Sequence, residues 1–195
     1  LTDYHIFGLM SQMIHEAQCE YSSNLINCAE TNALYGPIGN ALGKAGRLSV
    51  EITPAVEGYF TQLRADIPVS AYKEPERRLL QAWEQAYAAA IDALKPGARA
   101  CDVYRAAADV AERAGFAPSG RAGHALGLDV DEFLSLDPKD ETVLKPGMIV
   151  VVHIQLCDPD DHRVMNGGTF LVTQGSPEAL SKVSLFGLAR SESAT

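Results

Sequence analysis

Two histidines are the residues best placed to do chemistry. His153 ends the apolar run "MIVVVH", where four consecutive Val or Ile residues hold it rigid, so the imidazole is either packed and inert or fixed for a task. His124 stands in the glycine-rich stretch "SGRAGHALGLDVDEF", beside Arg121 and three acids, Asp129, Asp131 and Glu132. An imidazole titrates near ~6.5, so either ring can take or give a proton at neutral pH or ligate a metal as the neutral form. Glu51 lies in "RLSVEIT", where Leu48, Val50 and Ile52 alternate with polar residues, which puts Glu51 on one face with Ser49 and Thr53. Gln62 stands opposite Thr61 and Leu63 by the same alternation and reads as pocket-lining. Gly167 and Gly168 open the strand after the turn "DPDDHRV", at a place where a site would want side chains. Within that turn His162 reads as solvent-exposed, and His5 and His15 as surface residues of the first helix.

These residues need a scaffold, and the elements follow from periodicity. Residues 3–19 put Ile6, Leu9, Met10, Met13, Ile14 and Ala17 on one helical face. "NLINCAE" is a short strand, followed by a loop rich in Gly, Pro and Asn that skirts the site; "RLSVEIT" and "VEGYFTQLRADIPV" are two strands turning at Pro54. A long helix spans 74–95, with Leu79, Leu80, Trp83, Ala86, Tyr87, Ala90, Ile91 and Leu94 at helical spacing and Pro75 in its first turn. A second helix over 100–114 stops at Gly115, and strands follow. This alternation is too irregular for a doubly wound parallel sheet; it predicts an α+β domain, helices on one face of a curved, mostly antiparallel sheet. One domain over 1–183 is expected, with 184–195 a frayed tail.

Composition removes several functions. The chain has 195 residues, 47% apolar and 21% charged, enough to bury a sizeable core. A net charge of -9 with interspersed signs offers no basic face for nucleic acid or an anionic membrane. No run of about 18 apolar residues and no leader-like start is present, so a cytoplasmic location is expected. Cys19, Cys28, Cys101 and Cys157 form no CxxC pair and read as four buried free thiols.

The succession "GHALGLDVDEF", "LKPGMIVVVHIQL" and "TFLVTQGSPEAL", preceded by "GRLSVEITPAVEGYFTQLRADIPV" and "LKPGARACDVYRAAADVAERAGF", resembles the pita-bread family of creatinase, prolidase, aminopeptidase P and methionine aminopeptidase, from the first helix to about Leu180. The resemblance implies that fold. It also implies five ligand positions, two Asp, one His and two Glu, for a pair of divalent cations. Here those positions fall on Glu51, Gln62, His124, His153 and Gly167, so only the histidine is kept. A further family histidine falls on Asp131, with Glu132 keeping the acid beside it, and Tyr35 stands where relatives often show histidine. Two dications bring about +4 of charge, which one carboxylate, one amide and two imidazoles do not neutralise.

The expected function is therefore a metal-independent hydrolase or lyase of a small polar or amide-like metabolite, with no cofactor. His153 or His124 would be the general base and Glu132 a catalytic residue that orients it or holds the substrate's positive end, while Glu51, Gln62, Asp131, Tyr35 and Arg121 bind substrate. Two alternatives stand beside it: a single divalent metal on Glu51, His124 and His153, or an inactive binding module. Creatinase and prolidase relatives carry a separate N-terminal domain, so the expected protein partner is a second copy of the chain or a chain supplying that domain.

Overall fold

The computed structural model describes residues 1–28, 34–42, 47–70 and 72–185. The chain order is α1 (Asp3–Glu16), β1 (Tyr21–Asn27), β2 (Arg47–Val56), β3 (Tyr59–Phe60), β4 (Leu63–Pro68), α2 (Glu74–Ala93), α3 (Ala100–Arg113), β5 (Ala117–Ser119), β6 (Gly123–Ala125), β7 (Glu132–Ser135), β8 (Ile149–Val152), β9 (Gln155–Cys157), β10 (Arg163–Met165), β11 (Gly167–Leu171) and β12 (Glu178–Ala179). The main sheet runs β1-β2-β4-β11-β8-β6-β7, all its pairings antiparallel, with β3 on β2 and β12 on β11. A small sheet orders β10-β9-β5. The expected α+β architecture holds.

Register divides the main sheet into two faces. Leu63, Gly168 and Val152 lie in one cross-strand row, and Phe170 pairs Val150 two residues on. Val150, Val152 and Phe170 bury against Leu79, Leu80, Trp83, Ala86 and Ala90 of α2 and Val103, Ala107 and Ala111 of α3, forming the main core. The intervening rows point to the other face: Glu51 pairs Arg64, which pairs Gly167, and Thr169 pairs Val151, which pairs His124. Because side chains alternate along a strand, burying the apolar set under α2 and α3 forces the polar set onto the open face.

Several local expectations change. β2 runs through Pro54 to Val56 and turns at Glu57 and Gly58, both with positive φ; the proline fits inside the strand because pairing with β4 ends at Ile52. On α1 the packed side chains are Ile6, Phe7 and Met10, against Ile26, Cys28 and Val50, while Leu9 and Met13 stay exposed. The buried Asp3 carboxylate orders the following loop by accepting N–H bonds from Ile38, Gly39 and Asn40. Cys28 and Cys101 are buried free thiols, but Cys19 and Cys157 are half-exposed. Leu185 packs into the main core, so the folded body extends past residue 183, and the remainder of the tail expected to fray lies outside the described residues. The loop expected to skirt the site is partly outside them too. Among the described residues no helix is long and apolar enough to cross a membrane.

Candidate active site

His153 follows the last residue of β8, and its backbone is held on both sides. Its N–H donates to the Ala122 carbonyl at 2.8 Å, and the next carbonyl, Ile154, accepts the indole N–H of the fully buried Trp83 at 3.0 Å. Gly167 faces it across the ladder. A Cβ at 167 would overlap the Val152 carbonyl oxygen and the Cβ of His153, and would lie 2.5 Å from the His153 Cα. The glycine is thus a requirement of close backbone approach, and no side chain of any kind fits there.

His124 sits on β6 with its ring centroid 5.1 Å from that of His153, the planes at 64°. Its Nδ1 lies 2.9 Å from the Ala125 carbonyl. A carbonyl only accepts, so Nδ1 carries the proton and Nε2 is the basic nitrogen. Burial pulls the His124 pKa below its ordinary value, against the raising effect of the Ala125 carbonyl. His153 goes much further: burial, and then the neighbouring His124, push it down to about 3. Both rings are neutral at pH 7.

The carboxylates nearby are paired with guanidinium groups. Glu51 meets Arg64 at 3.4 Å, and Arg64 also donates from Nε to the Met165 carbonyl. Asp131 takes two bonds from Arg121, at 3.1 and 2.5 Å, which hold its carboxyl below the usual range; His124 Nδ1 stands 3.6 Å from it. Gln62 is fixed by the Thr169 hydroxyl, which accepts from its N–H and donates to its carbonyl, both at 2.9 Å. Its side-chain Nε2 donates to the Thr53 hydroxyl at 3.4 Å. Three buried side-chain polar atoms have no partner among the described residues, Gln62 Oε1, His153 Nδ1 and Asn166 Nδ2, and the first two belong to residues that line one cavity of about 460 Å³. That cavity gathers Glu51, Gln62, Arg121, His124, Asp131 and His153, six of the eight residues singled out from the sequence.

The other two do not take part. The Glu132 carboxylate accepts the N–H groups of Leu128 and Asp129, capping the loop after β6, and it is not part of the cavity lining. Tyr35 bridges to Ile26 through its backbone and accepts from Asn40 through its hydroxyl, outside the cavity. Sequence reasoning missed Arg64 and Thr169. The one sequence signal for Arg64 is its place two residues beyond Gln62 in an alternating stretch.

These donors do not fit a metal pair. Position 167 admits no side chain, Gln62 brings an uncharged amide, and Glu51 is engaged by a guanidinium. Among the described residues the donor atoms that lie within 4.8 Å of one another are those of Asp158, Asp160 and His162, and Glu51, His124 and His153 are not drawn that close together. That surface group sits in the turn between β9 and β10, where His162 Nδ1 and Asp158 are already bonded at 2.8 Å. His162 is half-exposed, as expected.

Residues 1–174 match metallopeptidase family M24. The chain is 31% identical over 137 residues to a Sinorhizobium fredii protein named as the uncharacterized hydrolase/peptidase y4tL, covering 70% of this chain and 35% of that protein. It superposes on the prolidase of Pyrococcus horikoshii OT3 with a TM-score of 0.87 at 19% identity, over 94% of this chain and 55% of that one, a likeness of fold. A third similarity, 40% over 79 residues, is to FACT complex subunit SPT16 of Oryza sativa subsp. japonica, covering 37% of this chain and 7% of that protein. The chain therefore spans about a third of the length of the curated hydrolase/peptidase it matches.

Proposed function

The chain belongs to metallopeptidase family M24, and on that premise we propose that it is a metal-independent member, a hydrolase or lyase in which His124 is the general base for a small, polar, amide-like substrate. The observation that carries this reading is the cavity's donor set: two neutral imidazoles beside two carboxylates that are each satisfied by a guanidinium.

His124 has the features a base requires. Its Nδ1–H is anchored on the Ala125 carbonyl, leaving Nε2 to accept a proton from substrate or water. Asp131, 3.6 Å from Nδ1, steadies the imidazolium that then forms, while Arg121 keeps that carboxylate ionised and in place. His153 stays neutral and serves as a hydrogen-bonding group. With its pKa lowered, His124 remains unprotonated to below pH 6.5, so activity should persist on the acid side of neutrality.

The test is turnover of an amide and dipeptide panel by protein dialysed against chelator. Activity should survive chelation, and His124→Ala should lower kcat by about 10²- to 10⁴-fold with KM little changed. Loss of activity on chelation with recovery on adding a divalent metal would overturn the reading. A second reading, a binding module without turnover, is favoured by the similarity to a protein named as a subunit of a complex; ligand binding in the absence of any turnover would select it.

A further inference from the structure

The same cavity carries information about which head group it accepts. Gln62 and His153 are each more than nine-tenths buried, at 7% and 5% exposure, and each leaves one polar atom without a partner. A buried polar atom left unpaired costs about 1–3 kcal/mol, so a ligand that pairs both is favoured over one that pairs neither. The Gln62 backbone is clamped by Thr169 and its Nε2 donates to Thr53, which leaves Oε1 as the amide atom without a partner. An oxygen acceptor needs a donor. His153 Nδ1, on a neutral ring, completes either a donor or an acceptor contact.

Charge narrows the choice further. The two carboxylates on the lining, Glu51 and Asp131, are each paired with a guanidinium, that of Arg64 behind the lining and that of Arg121 on it, so neither offers an uncompensated charge to a ligand. Bringing an ion in would require either pair to be broken or the ion to be buried alone. Resting on the reading of this cavity as the substrate site, we infer that it selects a neutral primary carboxamide or urea-like head group, whose –NH₂ donates to Gln62 Oε1 and whose remaining polar atom meets His153 Nδ1. A carboxamide presents both an N–H and a C=O in one plane, so it is the complement of the Gln62 amide itself. Gln62 is thus the specificity-determining residue and His153 its companion.

The experiment uses the full chain freed of metal, titrated by two-dimensional NMR with butyramide, N,N-dimethylbutyramide and methyl butyrate, which share a tail and differ in the head-group donor. Butyramide should bind about tenfold tighter or more than either analogue. Gln62→Leu, which cannot accept, should bring the three within about twofold, and Gln62→Glu, which keeps an acceptor oxygen, should retain the preference. Equal affinities in the wild type, failure of butyramide to bind, or a preference untouched by Gln62→Leu would each overturn the inference. Should Gln62→Leu fail to fold, the wild-type comparison of the three ligands decides. Binding needs no turnover, so absence of hydrolysis on every amide sinks the base assignment and leaves this ratio standing, whereas turnover without the ratio sinks only the head-group assignment.

Discussion

Protonating His153 should cost the fold more than protonating any surface histidine. Burial holds its pKa down to about 3 against an ordinary 6.5. The unfolded chain therefore binds this proton more readily, and the group's contribution to stability is complete above about pH 6.5 and is lost as pH falls towards 3. A displacement of that size corresponds to about 5 kcal/mol in total, a large share of the ~5–15 kcal/mol that holds a domain together. Between pH 7.5 and 4.5 the loss should amount to roughly 3 kcal/mol, with stability falling most steeply below pH 6. Urea unfolding followed by Trp83 fluorescence at intervals of one pH unit, on the wild type and on His153→Leu, isolates the effect. His124, lowered in the same direction, adds to both curves, so the difference between the two proteins is the readout. Parallel profiles, agreeing within about 0.5 kcal/mol across that range, would refute a buried neutral imidazole.

Other outcomes follow from the same geometry. Gly167→Ala should destabilise by about 2–4 kcal/mol, read as a lower urea midpoint, because the added Cβ meets the Val152 carbonyl and His153. Trp83→Phe should cost about 2–4 kcal/mol by circular dichroism melts, since it leaves the Ile154 carbonyl unpaired and a void in a fully buried position. Equilibrium dialysis against manganese, cobalt or zinc should find no pair of tight sites, and Glu51→Ala should leave whatever weak binding is measured unchanged; two tight equivalents per chain abolished by Glu51→Ala would contradict the donor analysis.

Much of this was legible in residue patterns, and the failures have definite physical causes. The two long helices are visible because their apolar residues recur at helical spacing around Trp83 and Val103. His124 and His153 could be found because each sits in a motif whose flanking glycines and valines fix the backbone. Pro54 misled because a proline usually ends a strand, yet tolerance depends on which edge of the strand is still paired, and that is a property of the partner. Leu9 and Met13 misled because a periodic stripe shows which residues share a face without showing how wide the neighbouring surface is. Arg64 went unseen because its importance lies in the cross-strand row it shares with Glu51 and Gly167, 13 residues away on one side and contributed by a distant strand on the other. Glu132 was assigned from its position beside Asp131, but Asp131 lies in the bend before β7 while Glu132 opens the strand, and its carboxylate is spent on the N–H groups of a turn.

The contact between Gly167 and His153 also bears on how such a site can change over time. From the present sequence, restoring an acid at 167 is blocked until the backbone at 153 retreats, and that backbone is tied to Ala122 and, through Ile154, to Trp83. Changing 153 alone returns one oxygen donor to a site whose other positions hold an amide, a guanidinium-bound glutamate and a glycine. Each single step back is thus sterically penalised or chemically useless by itself, and the beneficial combination is strongly non-additive. On the proposed metal-free reading, single substitutions can refine the histidine and amide cavity, whereas those that would build a metal pair gain nothing one at a time.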